Sequence, residues 1–137
     1  MSETRAPKDT MAAEQARVGL KSSELLRQAA YIDGQWVEAS RTLDVINPAS
    51  QQLLGTVPAL GAPETERAVA SAHRAFESWR RVAAGERGAV LQRWFELILA
   101  HQEDLARLMT AEQGKPLNES RGEISYAASF IDRKSVV

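Results

Sequence analysis

The spacing of apolar residues changes within residues 53–79, which read LLGTVPALGAPETERAVASAHRAFESW. Residues 53–57 form a short apolar run that ends at Pro58, which is typical of a β-strand. After Gly61, four apolar residues recur at steps of three, four and three: Val69, Ala72, Phe76 and Trp79. Such steps place the four side chains on one face of an α-helix. The chain is therefore predicted to change from strands to helices near residue 61.

The residues before this point predict two β-hairpins. Asp33-Gly34 lies between aromatic and β-branched residues, and an Asp-Gly pair favours a type I′ turn, which needs positive φ at both central positions. Residues 42–46 alternate apolar and polar side chains before Asn47-Pro48 stops the strand, and residues 53–57 supply its partner. Ahead of both hairpins, Ser22 or Ser23 is expected to cap a short helix that extends towards Ala29.

The residues after Trp79 predict two or three further helices. A wide buried stripe is expected in the helix that starts after Ala84-Gly85, formed by Val90, Leu91, Trp94, Phe95, Ile98 and Leu99. His101-Gln102 interrupts or bends this helix, and Gly114 ends the next because glycine adopts a left-handed cap at little cost. A last helix, starting near Leu117-Asn118, has an apolar face formed by Ile124, Ala127, Ala128 and Ile131. The predicted fold class is α+β, two amino-terminal hairpins followed by three or four α-helices.

Composition excludes several classes of function. The chain has 137 residues, 44% of them hydrophobic, and a formal net charge of -1, so nothing in its charge favours nucleic acid or an anionic membrane as a partner. It has no cysteine, which excludes disulfides, thiolate metal sites and a cysteine nucleophile within these residues. Residues 1–21 mix acidic and basic side chains without an apolar segment. We expect them to form a disordered tail, and we expect a cytoplasmic protein.

No catalytic or ligand-binding motif stands out. The eight glycines contain no Gly-x-Gly pair, so the dinucleotide fingerprint is missing. Gly114-Lys115 resembles the end of a phosphate loop only weakly, because proline follows it and a helix precedes it, and a helix stop is the better interpretation. His73 and His101 lie on different helices without metal-ligand spacing, and we interpret both as exposed polar residues.

Two further groups of side chains have alternative interpretations. Glu119 and Glu123 lie four residues apart and could form a carboxylate pair, but solvated residues beside Arg121 are the preferred interpretation. Ser120 and Glu123 also have the spacing of a capping box. The aromatic residues of the helices occur at core spacing and are interpreted as packing residues. The residues alone thus predict no catalytic, cofactor-binding or metal-binding residue.

Seven stretches, taken in order, resemble the amino-terminal segment of the aldehyde dehydrogenase superfamily. They are residues 31–37, 45–48, 54–58, 68–79, 86–99, 110–116 and 119–131. The sequence Glu112-Gln113-Gly114-Lys115-Pro116-Leu117, followed by Glu119-Ser120-Arg121-Gly122-Glu123-Ile124, is most similar to the succinate-semialdehyde dehydrogenase branch. The resemblance covers about a hundred residues and implies an incomplete piece of the α/β aldehyde dehydrogenase fold.

The resemblance implies NAD(P)-dependent oxidation of an aldehyde to its acid. In that family a cysteine thiolate attacks the aldehyde, hydride passes to the nicotinamide, and a glutamate-activated water releases the acid. These groups and the main dinucleotide contacts lie downstream of the matched region, so none is assigned to a residue here. NAD or NADP is expected to bind the complete enzyme, a homo-oligomer acting on an aldehyde, and not this chain alone. Glu112 occupies the position of an acidic residue that helps to bind a monovalent cation in some relatives.

The final residues, 132–137, depart from the family pattern. We therefore expect residues 22–137 to be the amino-terminal part of an aldehyde dehydrogenase domain, truncated before the catalytic region and inactive alone. The alternative is a non-catalytic α+β interaction module that docks onto a partner protein, and a small enzyme with its own chemistry is disfavoured. Open strand edges and uncovered helix faces predict an isolated chain that is aggregation-prone or partly molten.

Overall fold

A computed structural model describes residues 18–135, and it confirms the α+β class. Two antiparallel hairpins precede four helices: β1 Ala30–Ile32, β2 Gln35–Val37, β3 Thr42–Ile46, β4 Leu53–Pro58, α1 Ala62–Trp79, α2 Ala84–Ala100, α3 Gln102–Gln113 and α4 Leu117–Ser135. Most of the predicted tail, residues 1–17, lies outside the described residues. Within its last four residues Val18 is buried, so ordered structure begins before Ser22. At the other end, helix α4 continues as far as Ser135.

Local sequence signals account for both hairpins. Asp33 and Gly34 have φ angles of 55° and 75°, which confirms the predicted turn and pairs Tyr31 with Trp36 across β1 and β2. Strand β3 pairs with β4 in antiparallel register, with an irregularity between Val45 and Ile46. The side-chain Oδ1 of Asn47 accepts a hydrogen bond of 2.9 Å from the backbone N–H of Ala49, which organises the connection after β3. Each hairpin forms its own two-stranded sheet.

The core of the described residues lies where α4 packs against α2 and α3. Its fully buried members are small: Ala106 of α3, and Ser120 and Ala128 of α4. Gly114 ends α3 with a φ of 76°, as predicted, and helix α4 begins after Pro116. The break between α2 and α3 falls at His101, also as predicted.

Some sequence predictions are wrong in detail. The apolar stripe of α2 is only half covered. Val90, Trp94 and Leu99 are exposed, while the other three predicted members, Leu91, Phe95 and Ile98, are half-buried. Ala127 of the last helix is also exposed. The helix expected near Ser22 is a 3₁₀ turn, Ser23–Leu25, without a side-chain cap.

The predicted capping box at Ser120 and Glu123 is not formed. Helix α4 begins three residues earlier, so Ser120 lies inside the helix and not at its cap. The hydroxyl groups of Ser120 and Thr110 instead share a hydrogen bond of 2.8 Å between α4 and α3. A capping box does occur in part at α1, where Oε2 of Glu64 accepts a hydrogen bond of 2.9 Å from the backbone N–H of Gly61.

Candidate functional site

Helix α1 is attached to the rest of the protein by its polar side. The Ser71 hydroxyl donates a hydrogen bond of 2.6 Å to Oδ1 of Asp33 in the β1–β2 turn, and Nη2 of Arg74 lies 3.2 Å from Oδ2 of the same carboxylate. The hydrogen bond from Ser71 lowers the pKa of Asp33, helped by the charge of Arg74. Ser71, a polar residue, is the one residue of α1 that is buried.

The apolar side of α1 faces outward. At about 100° per residue, Arg74 lies on the opposite side of the helix from the four apolar residues that the sequence predicts as one face, whereas Ser71 lies beside that face, about 80° from the last of the four. We call these residues the α1 face: Val69, Ala72, Phe76 and Trp79. Val69 is 64% exposed, Phe76 52% and Trp79 41%. The predicted amphipathic helix is thus confirmed, but the large side chains of its apolar stripe remain 41–64% exposed among the described residues.

Two other helices also present large apolar side chains. Val90, Trp94 and Leu97 share one exposed side of α2. On α4, the rings of Tyr126 and Phe130 are 4.8 Å apart in an edge-to-face arrangement and both are exposed. Exposed apolar side chains of this size are typical of surfaces that contact another protein where they adjoin one another. The exposed apolar side chains of α1, α2 and α4 are suited to packing against another protein surface and not to catalysis.

The segment before β1 is anchored by a buried carboxylate of α3. Asp104 is 4% exposed, and its two oxygens accept hydrogen bonds from the backbone N–H groups of Lys21, at 3.1 Å, and of Ser22, at 2.8 Å. Burial is the strongest influence on the pKa of Asp104 and raises it. The hydrogen bonds from Ser22 and Lys21, together with nearby positive charge, outweigh burial, so this pKa lies below its ordinary value.

A second carboxylate of α3 joins α3 to α4. Glu103 accepts hydrogen bonds from Nε of Arg121, at 2.7 Å, and from its Nη2, at 3.0 Å, and it also pairs with Arg107. The Arg121 hydrogen bond lowers the pKa of Glu103, and the same bond raises the pKa of Arg121. This bidentate ion pair between Arg121 and Glu103 holds α3 and α4 together, and Glu103 therefore has a structural role.

The structure separates the residues that were weighed as catalytic or metal-binding candidates. Glu123 pairs with Lys115 and Arg121 pairs with Glu103, while Glu119 is exposed, which agrees with the preferred interpretation of solvated side chains. His73 is exposed as predicted, whereas His101 is half-buried at the α2–α3 break, so its predicted exposure is wrong. Among residues 18–135, no group of three acidic or histidine side chains could hold a metal ion. Glu112 is exposed near the end of α3.

The described residues do not fit the nicotinamide dinucleotide that the family resemblance implies. Dinucleotide folds place the pyrophosphate at a helix N-terminus that follows a parallel strand and a glycine-rich turn. The strands described here belong to antiparallel hairpins, and helix α1 starts after Gly61 without a further glycine nearby. We therefore assign no cofactor contact to residues 18–135.

Sequence reasoning missed the two carboxylates that position segments of the chain. The sequence predicts Asp33 as a turn residue, and the periodicity of α1 does not mark Ser71 as its partner. Asp104 gave no local signal, because its partners Lys21 and Ser22 are more than 80 residues away in sequence.

A family model described as "Aldehyde dehydrogenase family" matches residues 36–134. That match extends from strand β2 into helix α4, and the chain belongs to this family. It is 55% identical over 115 residues to a glutarate-semialdehyde dehydrogenase of Pseudomonas putida KT2440. It is 54% identical over 115 residues to the NADP(+) succinate-semialdehyde dehydrogenase GabD of Escherichia coli K12.

The match takes up most of this chain but little of each relative. Both alignments cover 82% of this chain and 24% of the relative, so the chain spans about a quarter of the length of the curated relatives it matches. A crystal structure of an E. coli NADP dependent enzyme is 54% identical, covers the same shares of the two chains and superposes with a TM-score of 0.81. The fold is accordingly a partial aldehyde dehydrogenase fold, corresponding to the amino-terminal segment of these proteins.

Proposed function

We propose that this chain forms the amino-terminal portion of an NAD(P)-dependent aldehyde dehydrogenase that oxidises succinate semialdehyde to its acid. The observation that carries the proposal is the identity of 54–55% over 115 residues to relatives named for succinate and glutarate semialdehyde. Both substrates are short aldehydes with a carboxylate at the far end. An aldehyde of this class is therefore the proposed substrate.

The contribution of these residues is structural within that enzyme. The chain has no cysteine, so the thiolate that attacks the aldehyde must come from sequence outside it. What the described residues supply is a packed unit of α2, α3 and α4, two hairpins, and the exposed α1 face. Inactivity of the isolated chain, assembly of the complete enzyme as a homo-oligomer and a cytoplasmic location belong to the same proposal. Within residues 18–135, no helix is both long enough and apolar enough to cross a membrane.

A chimeric enzyme tests the proposal. The 115 matched residues of the E. coli succinate-semialdehyde dehydrogenase are replaced by those of this chain, and NADPH formation is followed with succinate semialdehyde and NADP⁺. We expect turnover within about tenfold of the parent, because core substitutions that keep volume and pattern are tolerated. The control is the E. coli enzyme with the same residues deleted, which we expect to be inactive. A soluble, assembled chimera without turnover would contradict the proposal.

The isolated chain provides a second test of the proposed function. Mixed with succinate semialdehyde and either NAD⁺ or NADP⁺, it should produce no reduced nucleotide above a buffer control. Turnover by the isolated chain would overthrow the proposal, since these residues lack a thiol to capture the aldehyde.

A non-catalytic interaction module is the second candidate, because the α1 face would also serve docking onto another protein. Scanning calorimetry and sedimentation of the isolated chain separate the two functions. A sharp cooperative melt from a monodisperse monomer favours the independent module. Aggregation or a broad transition favours the portion of a larger enzyme.

A further inference from the structure

The tip of the first hairpin carries the one Asp-Gly pair of the sequence, Asp33-Gly34. The backbone nitrogen of Gly34 can attack Cγ of Asp33, because glycine has no side chain to obstruct the approach. A C–N bond then closes a five-membered succinimide ring, and the carboxyl hydroxyl leaves as water with the amide proton. Water reopens the ring. When it adds at the backbone carbonyl carbon of Asp33, the original peptide bond breaks and the chain continues through Cγ as isoaspartate.

The turn is open to this reaction on its outer side. The Asp33 side chain is 65% exposed, so water reaches it. A Cβ added at Gly34 would have its nearest neighbour, the Tyr31 hydroxyl oxygen, 4.0 Å away, so little surrounds the attacking group. Asp44 and Asp104 are followed by valine and leucine, whose side chains obstruct the same attack. Among these three aspartates, Asp33 is the reactive one.

Helix α1 engages both oxygens of this carboxylate. The Ser71 hydroxyl donates to Oδ1 at 2.6 Å, and Nη2 of Arg74 lies 3.2 Å from Oδ2. Succinimide formation needs a neutral carboxyl group, since an ionised one is a poor electrophile. The hydrogen bond from Ser71, with the charge of Arg74, holds the pKa of Asp33 below its ordinary value and so favours the ionised form. The two contacts also fix the direction of the side chain.

The backbone of the turn opposes the attack as well. Asp33 and Gly34 have φ angles of 55° and 75°, and Ile32 pairs with Gln35 directly beside them. To bring the Gly34 nitrogen against Cγ, the chain must rotate about the Cα–C bond of Asp33, which the turn and the adjacent strand pair resist. The reaction therefore requires local opening of the turn and release of the carboxylate.

We infer that the Asp33-Gly34 turn is a site of spontaneous isoaspartate formation in this chain, and that the contacts from Ser71 and Arg74 of α1 slow the reaction. Isoaspartate adds one carbon to the backbone and removes one from the side chain, so the carboxylate no longer fits its two partners. The main contact of α1 among the described elements is with β1. The modification thus loosens α1 from the first hairpin, and it does so whatever reaction the complete protein catalyses.

Peptide mapping of the whole 137-residue chain tests the inference. Trypsin cleaves after Arg27 and Arg41, so residues 28–41 form one peptide in which Asp33 is the sole aspartate. The chain and a synthetic peptide of residues 28–41 are incubated for several weeks at neutral pH. Isoaspartate, which has the same mass as aspartate, is separated by chromatography and located by electron-transfer fragmentation. Asp44, exposed in β3, is the internal control in the same digest.

Four variants separate the contacts of Asp33. Ser71→Ala removes the hydroxyl and Ser71→Thr keeps it. Arg74→Gln removes an exposed ion pair, and Arg80→Gln removes another, with Glu77, as the matched control. Circular dichroism of each variant reports its helix content, so a variant that unfolds is recognised. Because Arg74 is exposed, Arg74→Gln keeps the test valid even where Ser71→Ala unfolds.

The expected result is a graded loss of protection. Asp33 of the parent chain should form isoaspartate at least about tenfold more slowly than the synthetic peptide, since it reacts only after local opening. Ser71→Ala should raise the rate about fivefold or more, because a hydrogen bond to a charged acceptor is lost. Arg74→Gln should raise it about two- to fivefold, as expected for an exposed ion pair. Ser71→Thr and Arg80→Gln should keep the parent rate, and Asp44 should remain unmodified.

Each part of the inference has an outcome that overturns it. A parent chain that reacts as fast as the synthetic peptide refutes the protection. Absence of isoaspartate at Asp33 from the parent and from every variant, while the peptide forms it, refutes the modification site. Equal rates for Arg74→Gln and Arg80→Gln refute the role of Arg74. If Ser71→Thr reacts as fast as Ser71→Ala, the hydroxyl is not what protects the turn.

Discussion

The backbone N–H of Ser22 donates a hydrogen bond of 2.8 Å to Oδ2 of Asp104, which lies 82 residues further along the chain. The contact joins the segment before the first hairpin to a buried position of α3. Backbone N–H groups in irregular segments have no partner from a helix or sheet. A carboxylate that accepts hydrogen bonds from them supplies that partner. The order of residues 18–25 should therefore depend on this one side chain.

Replacing Asp104 should release that segment. We expect Asp104→Ala to lower the stability of the local structure by about 2 kcal/mol, because hydrogen bonds to a charged acceptor are lost and the freed N–H groups have no other partner. Tryptic cleavage after Lys21 should accelerate several-fold, which mass spectrometry of the timed digest measures. Glu112→Ala, an exposed acid of the same helix, is the control and should cleave at the parent rate. Equal rates for both variants would contradict the anchoring role.

The same carboxylate predicts a pH dependence. Because the folded pKa of Asp104 lies below its ordinary value of 3.8, its contribution to stability is complete above that value and is lost as the pH falls through the folded pKa. The protection factor of the Ser22 amide against hydrogen exchange should therefore decrease below about pH 4. In Asp104→Asn the decrease should be absent. A decrease of the same size in both proteins would mean that another group controls the segment.

Gly114 and Gly122 should respond in opposite directions to alanine. Gly114 has a φ of 76°, and a Cβ added there would lie 2.9 Å from Cγ of Pro48. Gly114→Ala should therefore lower the free energy of unfolding by about 2 kcal/mol through backbone strain and this contact. Gly122 lies within α4 with open space around it, so Gly122→Ala should raise stability by about 0.5–1 kcal/mol. Urea unfolding of the chimeric enzyme, followed by circular dichroism, measures both, and a shift of the same sign would disprove the contrast.

The hydroxyl pair between α3 and α4 should show coupling. Ser120 has no exposed surface, and its hydroxyl lies 2.8 Å from that of Thr110. Ser120→Ala and Thr110→Val should each destabilise the protein, and the double variant should cost about 1 kcal/mol less than their sum, since the second change removes a group already left unpaired. A double-mutant cycle in the chimeric enzyme, measured by urea unfolding, gives this difference. Ser78→Ala, at an exposed site with a bond only within its own helix, should show no coupling to Thr110→Val.

The features predicted well from the sequence are those set by adjacent residues. The turn at Asp33-Gly34 follows from the φ preferences of two neighbours, and the end of α3 at Gly114 follows from the same property together with Pro116. The family resemblance is predicted equally well, because it depends on motifs of consecutive residues such as residues 110–116. These signals fixed the strand and helix order without any knowledge of packing.

The features that sequence could not supply depend on distant partners. Periodicity identified apolar stripes in α1 and α2, but it does not say what covers a stripe, and Trp94 proved to be exposed. The spacing of Ser120 and Glu123 predicts a helix cap, whereas the Ser120 hydroxyl is hydrogen-bonded to a residue of another helix, Thr110. Asp104 and Ser22 are 82 residues apart in sequence, and no local pattern predicts their contact.

The α1 face should have opposite effects in the two settings in which it is measured. In the isolated chain, Phe76→Ser combined with Trp79→Ser should reduce self-association, because it removes two large exposed rings, and sedimentation velocity should show a shift towards monomer. In the chimeric enzyme the same pair should destabilise the fold by at least about 3 kcal/mol, the usual cost of deleting a buried aromatic side chain. As a control, His73→Ser combined with Glu77→Ser changes exposed polar residues of the same helix. This pair should neither reduce self-association of the isolated chain nor destabilise the chimeric enzyme. If the aromatic double variant associates as strongly as the parent chain and leaves the chimera as stable as before, the face is ordinary solvent-exposed surface, and α1 must derive its stability from the Asp33 contact alone.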